Sequence, residues 1–355
     1  MKILHTADWQ FGKTSIPKSL QRQENALLEL CDFAVKEDIN EVLVVGDIFQ
    51  RHTPTQREKD TLLSILFEFE RSGINLRIIP GNHDYEAVSG YLSLRTFLVL
   101  KNGKFFSNIH VYDTPGVHII DNKYVLITFD EKTPKVPKID IMEELPVIVA
   151  YHGLVKGATL ENDFKLTTGV DTRTLLAASP IIDYIALGDI HLQQRMSGSV
   201  PIYYSGALLQ HTFGEKSAGF IELSFGDAFS AHYHEITTVP RLQTVEVEMS
   251  DLSVLDSIDP SFITKVRFHG TVEEKKSLKL PELKQQLLDR GCVDIIWDFK
   301  LTSATKSVRR SKQVSTTSSL KSDFEVYLNS LPSLQLDRDK LTSMFLEVVE
   351  EVTHG

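Results

Sequence analysis

A chain of 355 residues, 42% hydrophobic and 24% charged, has the make-up of an ordinary globular protein, long enough for one large domain plus a smaller one or two. A net charge of −10 argues against a protein that coats nucleic acid through bulk positive charge, so any polyanion must be met locally, in a basic groove or with metal help. Cys31 and Cys292 lie far apart and outside any CxxC pattern, which excludes a disulfide framework or zinc ribbon and reads as two buried thiols.

The first ten residues, MKILHTADWQ, form an apolar strand whose end carries Asp8 and Gln10. No basic n-region with a long apolar core precedes it, and no run approaches the ~18 apolar residues of a spanning helix, so the expected location is cytoplasmic, with no membrane partner. Over 21–36, Ala26, Leu27, Leu30, Phe33 and Ala34 recur at helical spacing. EVLVVGDIF (41–49) is a second strand, ending in Asp47. Pro54 opens a helix over 55–71 with Leu62, Ile65, Leu66 and Phe69 on one face, and Gly73 ends it. LRIIPGNHD (76–84) is a strand followed at once by Asn82, His83 and Asp84. A helix over 88–100 is apolar on more than one side, suited to its own core or to a contact between protomers.

From 109 to 129 the pattern shifts to short β-runs, IHVYD, GVHII and KYVLITF, which predicts a second sheet packed on the first. A loop over 133–138 carries two prolines. VIVAYHG (147–153) then ends in His152, and YIALGDIH (184–191) in Asp189 and His191. β-runs over 200–204, 218–224 and 231–235 complete a first domain, 1–240. A compact strand, strand, helix, strand pattern marks a small α+β domain over 241–302. The Ser/Thr-rich basic stretch 303–319 reads as a linker, with Lys306, Arg309, Arg310 and Lys312 solvated. Two amphipathic helices over 320–355 present Leu320, Phe324, Tyr327, Leu328 and Leu331, then Leu341, Met344, Phe345, Val348, Val349 and Val352. Such stripes beyond a linker either dock on another protein or fold back on the body.

Five strands thus end in residues able to hold metal, and in open α/β sheets chemistry gathers beyond the carboxyl ends of strands. A two-ion site needs one carboxylate to bridge ions ~3.5 to 4 Å apart, with further ligands on each side. Asp47, at the tip of a central strand, is the natural bridge. Asp8, Gln10 and His191 then complete one shell, and Asn82, His152 and Asp189 the other. Mixed oxygen and nitrogen donors suit Mn²⁺ or Fe²⁺ better than a thiolate zinc cage does, with Mg²⁺ the alternative because so many donors are oxygen. His83 faces the substrate, stabilising phosphoryl oxygens or protonating the leaving oxygen, with Asp84 holding its ring. Gln50 and His52 either approach a substrate phosphate or simply belong to a loop. His5, inside the first strand, reads as a core histidine.

The ordered motifs GDIF, GNHD, HG and GDIH resemble those of the calcineurin-like metallophosphoesterases, and the strings ILHTADWQFGK, VVGDIFQRHTPT and YYSGALLQHTFGE are similar to the SbcD branch. The resemblance spans about residues 1–220. It implies a four-layer αββα sandwich with a small α+β capping domain that positions DNA, and two divalent cations, usually Mn²⁺. It implies a DNA exonuclease and endonuclease acting on ends and hairpins in repair, recombination or replication, at the nucleoid of a bacterial or phage-infected cell. It further implies that 320–355 grips an SMC-like ABC ATPase of SbcC type, that dimers pack through the helices 55–71 and 88–100, and that Ser205 and His211 of the YSG–FGE loop meet substrate. Two positions depart from the pattern: Gln10 stands where the family usually has His, and Asp189 where the first His of GHxH is expected. A small-substrate phosphoesterase and a non-catalytic metal-binding scaffold are the alternatives.

Overall fold

The structure is a computed structural model that describes residues 1–13, 16, 18–86, 89, 92–95, 106–129, 145–216 and 218–302. The proline loop 133–138, the linker 303–319, the segment 320–355 and most of the helix expected over 88–100 lie outside the described residues.

Four parallel strands, β1 (Lys2–Thr6), β2 (Glu41–Val45), β3 (Asn75–Ile79) and β4 (Ile109–Val111), lie side by side, with Leu4 opposite Val42 and Val44 opposite Ile78. Helices α1 (Ser19–Lys36) and α2 (Gln56–Arg71) connect β1 to β2 and β2 to β3. α2 begins where it does because Thr55 and Glu58 cap each other, side chain to backbone in both directions. It ends at Gly73 (φ 69°), which turns the chain so that Ile74 N–H reaches the Phe69 carbonyl.

The next six strands, β5 (Gly116–Ile120), β6 (Tyr124–Phe129), β7 (Val147–His152), β8 (Tyr184–Gly188), β9 (Gln194–Met196) and β10 (Ile202–Tyr204), form a second sheet in the order β5-β6-β7-β8-β10-β9. Its centre, β6-β7-β8-β10, is parallel. The chain then returns through β11 (Gly219–Ser224) and β12 (Ser230–Glu235) to the free side of β1, so the first sheet reads β12-β11-β1-β2-β3-β4.

Strand side chains alternate between faces, so a strand buried on both sides must be apolar throughout. In β2, Val42 and Val44 pack under Leu27, Leu30, Leu62 and Ile65 of the helices, while Leu43 and Val45 join Ile148, Ala150 and Ala186 between the sheets. The outer face of the second sheet is covered, among the described residues, by the 153–182 segment with its short helix α3 (Thr172–Leu176). This is the expected sandwich of two sheets flanked by helical and irregular layers.

Beyond it, β13 (Leu242–Glu248), β14 (Ile263–Thr271) and β15 (Asp294–Thr302) form a third sheet, β13-β14-β15; the short helix α4 (Val272–Ser277) follows β14, and α5 (Leu280–Asp289) packs with the sheet around Val247, Val266, Phe268, Leu287 and Ile295. Leu242 and Ile263 meet Ile16 and Phe213 of the preceding body, and Met1–Leu301 form one compact unit. Both cysteines are buried free thiols. No helix among the described residues is long and apolar enough to cross a membrane.

Candidate metal centre

The parallel strands of each sheet deliver their carboxyl ends to the same side, and the two sheets meet there. Asp8 N–H bonds the Gly46 carbonyl (3.1 Å) and Gln10 N–H the Asp47 carbonyl (2.9 Å), which fastens the turns after β1 and β2 together. From the other sheet, His152 at the end of β7 pairs with Gly188 at the end of β8. Asp8, Asp47 and His152 are all buried, with ligand atoms within 4.8 Å of one another. Asp8, Gln10, Asp47 and Asp189 all have positive φ (52°, 42°, 53° and 97°), a conformation that costs energy for residues with a Cβ. Glycines allow the close approach. A Cβ on Gly81 would lie 2.2 Å from Asp47 Oδ1 and 2.7 Å from His152 Nε2.

His152 Nδ1 lies 2.8 Å from the Val45 carbonyl, which can only accept, so Nδ1 carries the proton and Nε2 faces the site. Around Nε2 stand Asn82 Oδ1 (3.1 Å), Asp47 Oδ1 (3.3 Å) and Asp189 Oδ1 (3.8 Å), all acceptors. Burial opposes charge on this ring, yet Asp47, Asp8 and Asp189 lift its pKa to about 10. Burial also pushes Asp8 up to about 6, and it works against the charge of Asp47, which the neighbouring His152 nonetheless holds below the usual carboxylate range. Carboxylate and amide oxygens converging on one histidine nitrogen, in a buried field of negative charge that a single imidazolium proton offsets only in part, fit a divalent cation in that proton's place. Asp47, Asn82, His152 and Asp189 would hold one ion. Asp8, Gln10 and His191 would hold the second. There Gln10 Nε2 and His191 Nε2 are 2.9 Å apart, and His191 Nδ1 meets Glu215 Oε1 at 2.8 Å.

His83 lies beside Asp47: its N–H donates to Oδ1 (3.0 Å), its Nε2 is 3.7 Å from Oδ2, and its side chain is 37% exposed. Its ring is oriented by the Gln50 carbonyl, 2.7 Å from Nδ1. Asp84 therefore does not hold that ring, as its place in GNHD suggests. It is fully buried, and its carboxylate accepts from the backbone N–H groups of Ile48 (3.1 Å), Phe49 (3.0 Å) and Gly81 (2.9 Å).

The expected substrate contacts divide in the same way. Gln50 and His52 are half-exposed in the loop after Asp47. Ser205 is fully buried and donates to the Gly206 carbonyl, while His211 is 3% exposed with Nε2 3.1 Å from the Asp8 carbonyl. Both are expected to meet substrate; the structure instead buries them, each against a main-chain carbonyl. Burial lowers His211 to about 3, which suits a neutral ring braced beneath Asp8.

Sequence reasoning passed over Glu215 and Lys13. Burial opposes charge on Glu215, but His191 draws its pKa down to about 2, as expected of a carboxylate orienting a ligand histidine. Its place in the FGE string was the available signal. Lys13 Nζ donates to Gln10 Oε1 at 2.8 Å, and the FGK string gave no hint of that return.

Residues 1–193 match the model of the calcineurin-like phosphoesterases. The chain belongs to this family. Calcineurin-like phosphoesterases are metal-dependent hydrolases, and the family's dimetal chemistry implies two divalent cations. Among solved structures the chain is similar to a dimetal phosphatase from Danio rerio, at 10% identity over 67% of this chain and 96% of that one, with a TM-score of 0.44.

Proposed function

We propose that this chain is a two-cation phosphodiesterase that cuts DNA at ends and hairpins. In the same proposal it works as the nuclease subunit of an SbcCD-like complex, with Mn²⁺ as its preferred ion and Mg²⁺ as the alternative. The observation that carries it is His83, a protonatable ring exposed to solvent beside the buried acidic cluster and held at a fixed angle.

Asp8, Gln10, Asp47, Asn82, His152, Asp189 and His191 would hold the two cations, which would supply Lewis-acid activation of water and charge stabilisation on phosphoryl oxygens. Asp47 joins the two halves of the cluster, and its Oδ1 is kept in place by His83 N–H. Because the Gln50 carbonyl only accepts, His83 Nδ1 carries a proton and Nε2 is the atom that can hand one over, to a phosphoryl oxygen or the departing alkoxide. Asp84 keeps the turns bearing Asp47 and His83 in register.

DNA is preferred over a small phosphomonoester because the resemblance to the SbcD branch runs through the whole YSG–FGE loop, and because a third sheet follows the catalytic layers that a small-molecule hydrolase has no need of. The same resemblance supports the partners: an SMC-like ATPase on 320–355 and a second copy of this chain on 55–71 and 88–100. A scaffold that binds metal without cutting is the second reading, favoured by the Gln10–His191 contact.

The test is nucleotide release from linear duplex DNA by the full chain with an SbcC-type ATPase, in Mn²⁺ and in Mg²⁺. Release should fall by about 10²–10⁴ in His83→Ala. No cutting in either metal removes the nuclease reading. Turnover of phosphomonoesters that survives deletion of 241–355 favours the small-substrate alternative.

A further inference from the structure

The two halves of the centre differ in what joins their side chains. On the Asn82 side, Asn82 Oδ1 (3.1 Å), Asp47 Oδ1 (3.3 Å) and Asp189 Oδ1 (3.8 Å) converge on His152 Nε2, the one point where a cation would meet all four side chains. On the Gln10 side, the atoms that would hold an ion already have partners. Gln10 Oε1 accepts from Lys13 Nζ (2.8 Å), so its Nε2 is the end that donates to His191 Nε2 (2.9 Å), whose Nδ1 donates in turn to Glu215 (2.8 Å). Lys13, Gln10, His191 and Glu215 thus form a closed chain from ammonium to carboxylate.

Lys13 is delivered to this place by a built turn. Its N–H bonds the Gln10 carbonyl (3.1 Å), and Gly12 takes φ 98°, a value that suits glycine. Gln23 of α1, 1% exposed, clamps the same turn from inside: its Oε1 accepts from Gly12 N–H (3.0 Å) and its Nε2 donates to the Gln10 carbonyl (2.8 Å). The ammonium's field reaches the rings of both His191 and His211. Glu215 balances it at the far end of the chain.

We propose that the two cation positions fill in order, and that Lys13 is the resident competitor for the later one. On the Asn82 side an ion replaces the His152 Nε2 proton and parts no side chain from another, because Asn82, Asp47 and Asp189 already converge on that atom. An ion on the Gln10 side must take Gln10 Oε1 from the ammonium, part Gln10 from His191 and displace a positive charge from the vicinity, each of which weakens it. A flexible four-carbon stem lets Lys13 swing out when that ion arrives. Two-ion occupancy then depends on cation concentration in a range set by a residue that is not itself a ligand. The inference rests on the metal centre described above and not on DNA being the substrate.

Calorimetric Mn²⁺ titration of the full chain tests it, with thermal melts to confirm that each variant is folded. The native chain should show two binding events, the later weaker by about tenfold or more. Lys13→Met, which keeps the stem and removes the charge, should tighten the later event about tenfold and leave the first unchanged. Lys13→Arg, which keeps the charge, should leave the later event weak. The electron paramagnetic resonance signature of a spin-coupled Mn²⁺ pair should appear at lower Mn²⁺ in Lys13→Met than in the native chain. Two equal events in the native chain, or a later event that Lys13→Met does not tighten, overturns the role of Lys13. No Mn²⁺ binding at all overturns the metal centre itself, and with it this inference.

Discussion

Asp84 and His83 are neighbours with divided contacts: His83 stands beside Asp47 with its ring on the Gln50 carbonyl, while Asp84 is spent on three backbone N–H groups that tie the turn after β2 to the turn after β3. A carboxylate suits this because it offers two acceptor oxygens and no donor. Asp84→Asn would leave one oxygen and turn an NH₂ group toward donors, so at least one buried N–H loses its partner. The expected cost is about 1–3 kcal/mol, read as a lower urea midpoint at unchanged slope. Activity should fall through kcat with KM nearly constant, because the residue acts through the placement of Asp47. Full stability with no activity would instead make Asp84 a proton carrier in its own right.

At the scale of elements, the centre depends on strand ends that bend sharply into positive φ and on glycines that let the two sheets touch. Gly81→Ala tests this directly, because the new methyl would meet Asp47 and His152, and neither is a flexible chain end that can yield. Divalent affinity should drop at least as far as the about 10–100-fold that loss of a supporting contact costs, while the apolar layers between the sheets, formed by residues such as Leu43 and Ile148, keep far-ultraviolet circular dichroism unchanged. Retained affinity would show that the two tips are not held as closely as described. These strands were legible in the sequence because each is an apolar run ending abruptly in Asp, Asn or His, and α1 and α2 because their apolar spacing is helical. What connects them was not legible. Arg77 of β3 is buried between Glu41 of β2 (2.9 Å) and Asp121 (2.8 Å), at the opposite end of the strands from the metal centre, and Tyr204 donates to the Gly153 carbonyl from across the second sheet. Such pairs join residues tens of positions apart and leave no periodic trace. The Asp84 contact was misassigned for a similar reason: adjacency in GNHD suggested a partner that the short helical turn Asn82–Asp84 points away from.

For the whole molecule, metal binding and folding stability would be one equilibrium, because the candidate ligands Asp8, Asp47 and His152 come from both sheets and separate on unfolding. The protons involved fix the direction of its pH dependence. Asp8, raised from 3.8 to about 6 by burial, stabilises the metal-free protein fully below pH 3.8 and loses that contribution as pH rises through 6. His152, lifted to about 10 by the carboxylates around it in spite of burial, contributes fully below pH 6.5 and loses its share as pH rises through 10. A cation needs both groups deprotonated, so binding expels protons and tightens as pH rises over the same range in which the metal-free protein loses these two contributions. Mn²⁺ at a hundred times its dissociation constant should therefore stabilise the fold by about 2.7 kcal/mol, a rise in melting temperature on the order of 5 °C, and the rise should be larger at pH 8 than at pH 5. Asp47→Ala, which removes the buried carboxylate beside both Asp8 and His152, should abolish it at every pH. A shift that shrinks as pH rises, or that Asp47→Ala retains, would place the ion on groups other than these.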